Sequence, residues 1–353
     1  MAGLSTATIS IGGATVGNGS ACYVIAEAGA NHNRDLDTAR RLIDCAADAG
    51  ADAVKFQTYS GRSLYSTKTP RFEYLGELGA KPAHELLEDI ALPRDWQPIL
   101  AAHCRERAIE FLSSPFDRQA VDELDALDVA ALKIASFELV DHGLIAYAAA
   151  TRRPLILSTG MASLAEIDEA IAAARAAGAT EIALLQCASL YPSPASIMNL
   201  RAIPAMAGAF GVPVGLSDHT LGTHVASASV ALGAALIEKH FTLDRTMTGP
   251  DHPFAIEPRE LKELVAHVRD IEAALGDGRK IGPSPEESRE MYAKARRSVV
   301  AACAIPAGTL ISAEMLCVKR PGHGIAPKFI DTLVGRVARV DIDEDEILVW
   351  EML

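Results

Sequence analysis

Side chains that could bind an anion stand at the ends of short apolar segments along most of this chain. Two of them, Lys55 and Lys133, supply positive charge, and hydroxyl groups lie at the ends of neighbouring segments. The hydroxyl residues are Ser114, Ser136, Ser158 and Ser217. Cations and hydroxyl donors together suit a ligand that carries a phosphate and a carboxylate. The sequence therefore predicts an anion-binding pocket.

Two histidines, His219 and His240, close two consecutive apolar segments. Imidazoles at such positions could share a divalent ion and leave coordination sites open for water and a substrate oxygen. A single structural histidine bonded to a carbonyl group is the alternative. Glu27, at the end of the first long apolar segment, is a candidate general base or a group that orients a metal-bound water. The histidines expected to take no part are His32, His224 and His252.

The segments that must position these residues alternate with stretches of helical periodicity. Apolar runs are separated by amphipathic stretches such as 36–49 and 164–177. The runs are Tyr23–Ala28, Ala53–Gln57, Ile109–Ser113, Ala131–Ala135, Pro154–Ser158, Glu181–Gln186, Val212–Leu216 and Ala235–Lys239. Such strands indicate a parallel sheet, and eight units over about 250 residues match an α/β fold, the (β/α)8 TIM barrel. The site is then predicted at the rim where the strands end.

An open, doubly wound sheet is the alternative architecture. It predicts a glycine-rich phosphate loop after the first strand, whereas the chain has Ala26-Glu27-Ala28-Gly29-Ala30-Asn31 there. The polar residues at almost every strand end favour a ligand site, because buried polar groups cost free energy unless they are paired. We therefore expect a barrel with a ligand site at its rim.

The two ends of the chain depart from the barrel pattern. Thr8–Ile11 and Ala21–Val24 flank glycine-rich turns and predict a β-hairpin that could plug the bottom of the barrel. Residues 277–292 form a turn-rich linker, and residues 293–353 have short strand-like runs without a long helix. We predict a hairpin plus barrel over 1–276, followed by the linker and a small β-rich domain.

The C-terminal part contains a faint internal repeat. Residues 300–316 resemble residues 337–353 at a spacing of 37 positions, with Val-Ala near the start and Glu-Met-Leu at the end of each segment. This repeat indicates either two similar half-motifs packed around a pseudo-twofold axis or a coincidence within a short apolar domain. The sequence alone leaves both interpretations open.

Composition and charge exclude several classes of protein. The 353 residues include 33 basic and 46 acidic side chains, a net charge of −13, so neither nucleic acid nor an anionic membrane is an expected partner. The 6 cysteines form no CxxC pair, so a zinc cluster or a disulfide framework is not indicated. The N-terminus lacks the basic start of a signal peptide, and the apolar run 225–237 is too short to cross a bilayer. We expect a cytoplasmic protein.

The motifs at the strand ends resemble those of the sialic acid (nonulosonic acid) synthase family. The barrel motifs are Ile25-Ala26-Glu27-Ala28-Gly29-Ala30-Asn31-His32, Val54-Lys55-Phe56-Gln57-Thr58-Tyr59, Leu132-Lys133-Ile134-Ala135-Ser136-Phe137-Glu138, Leu157-Ser158-Thr159-Gly160-Met161, Gly215-Leu216-Ser217-Asp218-His219-Thr220, Ile237-Glu238-Lys239-His240-Phe241 and Gly249-Pro250-Asp251-His252. The tail around Lys319-Arg320-Pro321-Gly322 is similar to the antifreeze-protein-like (SAF) domain of the same family. The resemblance implies that phosphoenolpyruvate, an open-chain N-acetylated hexosamine and water give a nine-carbon 3-deoxy-2-keto acid and phosphate, by C–O cleavage.

The resemblance also implies a role for each matching residue. Glu27, Lys55, Lys133 and His240 would be catalytic. Phosphoenolpyruvate would be held by Lys55, Ser114, Lys133, Ser136, Ser158, Ser189 and Ser217. The acceptor sugar would be held by Gln57, Glu138, Tyr191, Glu238 and Asp251, and its N-acetyl group by Arg320 from the other subunit of a domain-swapped homodimer. His219 and His240 would bind a divalent ion, with manganese expected and magnesium or cobalt as alternatives.

Two departures from the N-acetylneuraminate pattern bear on the acceptor. The chain has Ala135-Ser136-Phe137-Glu138 and Ser189 where N-acetylneuraminate synthases usually have Gly-Ser-Gly-Glu and Asn. Both resemble the pseudaminic and legionaminic acid branches, whose acceptors are 6-deoxy-2,4-diacetamido hexoses. Gly249-Pro250-Asp251-His252 instead resembles the N-acetylneuraminate branch, so N-acetylmannosamine stays an alternative acceptor.

Two other classes of function compete with this interpretation. A metal-dependent aldolase or isomerase for sugar phosphates would use the same histidines and release no phosphate from phosphoenolpyruvate. The other class is a binding protein that works through its antifreeze-like tail. The polar strand ends argue against it, because burying them would then cost free energy without binding a ligand.

Overall fold

The structure is a computed structural model that describes residues 7–17, 19–70, 81–287 and 290–353. The chain divides into two compact units, Met1–Gly276 and Asp277–Leu353. Within the described residues no helix combines the length and the apolar character that a membrane crossing needs.

The first unit is built around a closed barrel of parallel strands. Its eight strands pair in chain order, and the last pairs with the first. The strands are β3 (Tyr23–Glu27), β4 (Ala53–Thr58), β5 (Glu110–Pro115), β6 (Leu132–Ile134), β7 (Leu155–Ser158), β8 (Ile182–Cys187), β9 (Val214–Asp218) and β10 (Leu236–His240). The TIM-barrel prediction is confirmed, and the open-sheet alternative is wrong because the ring closes.

Helices cover the outer face of this barrel. They are α1 (Leu36–Ala49), α4 (Gln97–Glu106), α5 (Arg118–Ala126), α6 (His142–Ala150), α7 (Leu164–Ala176), α8 (Ala202–Phe210), α9 (His224–Ala231) and α10 (Pro258–Leu275). Two further helices, α2 (Gly61–Leu64) and α3 (Ala83–Ile90), lie between β4 and α4 and pack on each other. Side-chain caps fix several starts: Asp35, Asp117 and Asp141 each accept a backbone N–H of the first turn, and Ser163 forms a capping box with Glu166. The apolar faces of the helices pack on the outward-facing strand residues in one continuous core.

A hairpin precedes the barrel, but its second strand is not the predicted one. Strand β1 (Thr8–Ile11) pairs with β2 (Ala14–Gly17), whereas the predicted partner 21–24 runs into the first barrel strand. Gly12 and Gly13 both have positive φ, as a tight two-residue hairpin turn requires, so the chain turns back at once. Ile9, Ile11 and Val16 pack with the lower interior of the barrel and plug it.

The interior of the barrel changes character from one level to the next. The lower level is apolar and contains Ile25, Ala53, Leu112, Ile156 and Leu236. Two residues further along each strand the side chain points inward again. These next inward residues are Glu27, Lys55, Ser114, Ser158 and Glu238, all buried. The strand period thus places a polar layer directly above an apolar floor.

The second unit contains α11 (Met291–Ala295), β11 (Ser298–Ala301), β12 (Leu316–Lys319) and α12 (Ile330–Leu333), and the two strands pair antiparallel. The backbone bonds of this unit support the half-motif interpretation of the repeat. Ile305 and Ile342 donate to each other's carbonyl groups, at 2.8 and 2.9 Å, and these residues are 37 positions apart. Equivalent bonds join Ala302 N to Met315 O and Arg339 N to Met352 O. The two halves therefore pack around a pseudo-twofold axis.

Candidate active site

Two buried lysines and two buried carboxylates form the centre of the polar layer. Lys55 Nζ lies 2.6 Å from Glu27 Oε2 and 3.1 Å from the hydroxyl of Ser114. Glu238 Oε2 lies 3.7 Å from the Nζ atoms of both Lys55 and Lys133. Four strands that are distant in the sequence thus bring these charges together, as the sequence predicted.

The charges change one another's protonation. Burial raises the pKa of Glu27 to about 7, although Lys55 lowers it. Burial alone would also raise the pKa of Glu238, but Lys133 and Lys55 outweigh it and hold that pKa below its usual range. Burial and repulsion from Lys55 lower the pKa of Lys133. The layer therefore holds one firmly ionised carboxylate and one carboxyl group that exchanges a proton near neutral pH.

The two predicted metal ligands, His219 and His240, lie side by side at the same rim, with ring centroids 5.4 Å apart. His219 Nδ1 is 2.8 Å from the carbonyl oxygen of Ala188, which fixes the tautomer and leaves Nε2 as the free lone pair. His240 Nδ1 is buried with no hydrogen-bond partner among the described residues, 3.7 Å from Asp251 Oδ2. Burial lowers the pKa of both imidazoles, so both are neutral.

Neutral, adjacent imidazoles fit a divalent ion, because a metal ligand must be deprotonated. The carbonyl that fixes His219 is the usual outer partner of a metal-binding histidine, and the unpartnered nitrogen of His240 is consistent with a missing ligand. No set of three or more His, Cys, Asp or Glu residues is grouped as a metal cluster in the part of the chain that the structure describes. The two imidazoles are the residues of this rim that could hold such an ion.

Two predicted serines, Ser136 and Ser189, meet around Gly160, in the loop that follows Ser158 at the end of β7. The backbone N–H of Gly160 donates to the Ser136 hydroxyl at 3.0 Å, and a Cβ at Gly160 would lie 2.3 Å from the Ser189 hydroxyl. The hydroxyls of Ser189 and Ser158 are buried without partners among the described residues. Unpaired buried hydroxyls are costly, so this pocket is built for a polar ligand.

The other predicted acceptor residues surround the same layer. Gln57 donates its amide to Glu27 Oε1 at 2.8 Å, and the Ser217 hydroxyl donates to Glu238 Oε1 at 2.9 Å. The Tyr191 ring lies 4.2 Å from the His219 ring, centroid to centroid. Burial raises the pKa of Asp251 to about 6, above its ordinary range.

Two predicted residues stand apart from this network. Glu138 follows the end of β6 in a short 3-10 helix, and one of its carboxylate oxygens is buried without a partner among the described residues. Burial raises the pKa of Glu138 to about 7. Arg320 lies in the second unit, just after β12, so its approach to the barrel stays a prediction.

Sequence reasoning missed two residues of the site. The backbone of Gly160 supports the serine pocket, and its signal was its place directly after Ser158-Thr159 at a strand end. Cys187 lies with its sulfur 3.7 Å from His219 Nδ1, and burial raises the pKa of its thiol. A single cysteine carried no sequence signal of this position. Of the histidines predicted to take no part, His32 accepts the backbone N–H of Arg34 and His252 bonds to the hydroxyl of Thr242.

The geometry defines a TIM-barrel protein with a buried polar layer and two adjacent imidazoles at its rim, and comparison with known proteins gives its family. Residues 42–280 match the NeuB family, and residues 296–353 match the SAF domain. The chain belongs to the NeuB family.

Named relatives of known sequence and structure resemble the chain over most of its length. It is 40% identical over 329 residues to the N,N'-diacetyllegionaminic acid synthase of Campylobacter jejuni, covering 92% of this chain and 98% of that protein. It is 36% identical over 318 residues to the pseudaminic acid synthase of Helicobacter pylori, covering 89% and 93%. The crystal structure of the N-acetylneuraminic acid synthetase of Leptospira borgpetersenii, bound to citrate, is similar with a TM-score of 0.71 and 36% identity, covering 80% of this chain and 95% of that one.

Proposed function

We propose that the rim of this barrel joins phosphoenolpyruvate to a 6-deoxy-2,4-diacetamido hexose, with water as the third reactant. The coarser activity follows from the family: the chain is an enzyme that condenses phosphoenolpyruvate with an acetylated hexosamine to give a nonulosonic acid. The observation that carries the proposal is the polar layer in which two buried lysines share the carboxylate of Glu238. Such a layer without a ligand would be costly to bury.

In this proposal phosphoenolpyruvate binds against the two lysines and the serines of the rim. Lys55 and Lys133 supply the positive charge for its phosphate and carboxylate, and Ser114 is already within hydrogen-bond distance of Lys55. The unpartnered hydroxyls of Ser158 and Ser189 supply donors for the remaining oxygens. The residues proposed for this subsite are Lys55, Ser114, Lys133, Ser136, Ser158, Ser189 and Ser217. Charge-assisted bonds of this kind are strong in a buried site.

The open-chain aldehyde of the acceptor is placed beside the imidazoles. His219 and His240 hold a divalent ion there, with manganese as the proposed metal, and a bound ion would polarise the aldehyde oxygen as a Lewis acid. Tyr191 and Asp251 lie against these rings and line the same side of the site. Gln57, Glu138 and Glu238 complete the proposed contacts to the sugar.

In the proposed reaction, C3 of phosphoenolpyruvate attacks the aldehyde carbon and forms the new C–C bond. Water then adds to C2, which has gained positive character, and Glu27 accepts its proton. A carboxyl group whose pKa is about 7 suits this role, because it is half ionised at neutral pH. The C2–O bond of the resulting hemiketal phosphate then breaks, the hydroxyl left on C2 becomes the keto group, and inorganic phosphate leaves. Of the two protons of the water, one, passed through Glu27, ends on the former aldehyde oxygen and the other leaves with the phosphate. Lys55 and Lys133 offset its negative charge throughout.

The choice of acceptor depends on the loop after β6. Phe137 is 53% exposed there, between Ser136 and Glu138, so an apolar ring faces outward where the N-acetylneuraminate pattern has glycine. An apolar surface suits an acceptor that has lost a hydroxyl and gained an acetamido group. Relatives named as legionaminic and pseudaminic acid synthases support this choice. N-acetylmannosamine is the competing acceptor.

We also propose that the protein works as a domain-swapped homodimer in the cytoplasm, where phosphoenolpyruvate is made. In this arrangement Arg320 of one subunit reaches the N-acetyl group of a sugar bound in its partner. A guanidinium group suits this contact because it is always charged and presents several donors.

The test is a product assay by mass spectrometry with phosphoenolpyruvate, Mn²⁺ and a panel of acceptors. We expect a nonulosonic acid and stoichiometric phosphate from a 6-deoxy-2,4-diacetamido hexose. Efficient turnover of N-acetylmannosamine alone would overturn the proposed acceptor. Conversion of a sugar phosphate without phosphate release would favour the aldolase or isomerase alternative.

A matched variant tests the lysine subsite. Lys133→Ala removes one of the two cations, and we expect the rate to fall at least about 100-fold. An unchanged rate would exclude the barrel rim as the active site. Exposed Lys262→Ala, on α10, is the control and should keep full activity.

A further inference from the structure

One buried ion pair takes no part in the proposed reaction. Asp218 and Lys239 are each 1% exposed, and Lys239 Nζ lies 2.7 Å from Asp218 Oδ2. They alternate along β9 and β10 with the inward-facing Ser217 and Glu238, so their side chains point to the helix side of the barrel wall. The pair therefore lies behind the active site rather than in it.

This pair flanks His219 in the chain: Asp218 precedes it, and both side chains of the pair bond to Thr220, which follows it. The carboxylate of Asp218, which precedes His219, accepts the backbone N–H of Thr220 at 2.9 Å and its hydroxyl at 3.2 Å. Lys239 also donates to the carbonyl oxygen of Thr220, which follows His219. Lys239 is itself the residue before His240. One ammonium group thus links the backbone positions of both imidazoles.

Stability alone does not explain such a pair. Removing two charges from water costs more than a surface ion pair returns, and an apolar pair of similar volume is often as stable or more stable. Groups behind a metal site that orient its ligands typically change metal affinity by about 10- to 100-fold when they are removed. We propose that Asp218 and Lys239 are positioning residues that hold His219 and His240 at the spacing needed to share a divalent ion. This inference rests on the proposed metal site.

The test compares stability with metal affinity in one neutral double variant. Asp218→Asn with Lys239→Met keeps the side-chain volumes and leaves no unpaired charge. We expect the metal-free variant to unfold near the wild-type temperature while its Kd for Mn²⁺, measured by the paramagnetic resonance signal of free Mn²⁺ without substrates, weakens about 10- to 100-fold. A Kd within twofold of wild type would overturn the inference.

A control separates positioning from general loosening. Arg153→Met removes a guanidinium that bridges Asp125 and Asp128 far from the imidazoles in sequence and fold. It should lower the unfolding temperature and leave the Kd for Mn²⁺ unchanged. A loss of affinity in this control equal to that of the double variant would also overturn the inference.

Two further experiments cover the cases in which the double variant does not fold or the wild type binds no Mn²⁺. Should the double variant not fold, Thr220→Val removes only a hydroxyl, and we expect a smaller loss of Mn²⁺ affinity; no loss counts against the pair. Should the wild type bind no Mn²⁺, the manganese proposal fails, and the ring nitrogen resonances of ¹⁵N-histidine protein, recorded without metal, then test whether the pair fixes the two imidazoles. Altered resonances of His219 and His240 in the double variant, but not in the control, support positioning, and unaltered ones overturn it.

Discussion

At the scale of single residues, burial decides what each charged group does. Glu27, Glu138 and Glu238 are three buried glutamates of one site, yet their protonation differs because their charged partners differ. Glu238 touches two lysines and stays ionised, whereas Glu138 has a buried oxygen without a partner among the described residues. The sequence predicted all three as site residues. It carried no information on their protonation, because that depends on distances between strands.

Glu138 gives a pH prediction. Burial raises its pKa in the folded protein to about 7, above the ordinary 4.5, so the unfolded chain releases this proton first as the pH rises. The contribution of Glu138 to stability is therefore fully present below pH 4.5 and lost as the pH rises towards 7. Glu138→Gln removes this contribution's pH dependence. As the pH rises from 4.5 to 7, wild type loses this contribution and the variant does not. We therefore expect the unfolding temperature of the variant to increase relative to that of wild type over this range, in thermal scans without ligand.

The matched control for that experiment is Glu169→Gln, since Glu169 is exposed on α7. The difference between its unfolding temperature and that of wild type should stay constant across this pH range. A constant difference between Glu138→Gln and wild type across the whole range would contradict the role of burial.

At the scale of elements, the strand period explains why the site could be predicted. Inward positions recur every second residue, so polar residues at strand ends must converge once the barrel closes. The hairpin was predicted less well, because the apolar run 21–24 fits a hairpin strand and a barrel strand equally. Asp218 and Lys239 were not predicted as a pair, because they become neighbours only through the register of β9 and β10, which the sequence does not specify.

A glycine at the end of β7 gives a prediction about packing. In Gly160→Ala the new methyl group would clash with two hydroxyls, because its carbon would lie 2.3 Å from the Ser189 oxygen and 2.8 Å from the Ser136 oxygen. We expect the KM for phosphoenolpyruvate to rise about 10-fold or more, because the displaced serines no longer fit the ligand. Gly208→Ala on α8 is the control, since a Cβ there has no neighbour within 4 Å. It should leave KM unchanged, and an equal effect of both variants would refute the serine pocket.

The plug of the barrel gives a prediction about stability. Ile11 is fully buried in the apolar floor, with 0% exposure, so Ile11→Ala opens a cavity. We expect a loss of about 2–4 kcal/mol in the free energy of unfolding, measured by denaturant titration. Thr8→Ala, on the exposed side of the same strand, should change it by less than about 0.5 kcal/mol. A similar small effect of Ile11→Ala would mean that the hairpin is not part of the core.

At the scale of the whole molecule, the proposed exchange of Arg320 between subunits predicts complementation. Lys133→Ala and Arg320→Ala each inactivate a homodimer, but a mixed dimer has one site with both residues intact. Equal mixing after subunit exchange should restore about one quarter of the wild-type activity. Mixing that restores nothing, with heterodimers confirmed by native mass spectrometry, would contradict a shared site.

The twofold relation within the C-terminal unit makes its two halves depend on one core. That core contains residues from equivalent positions of both halves, Ala301 and Ala338, and Leu316 and Leu353, each 37 positions apart and all buried in one cluster. Neither half has a closed core of its own. A fragment that ends between the halves should therefore recover order when the missing half is added as a separate peptide.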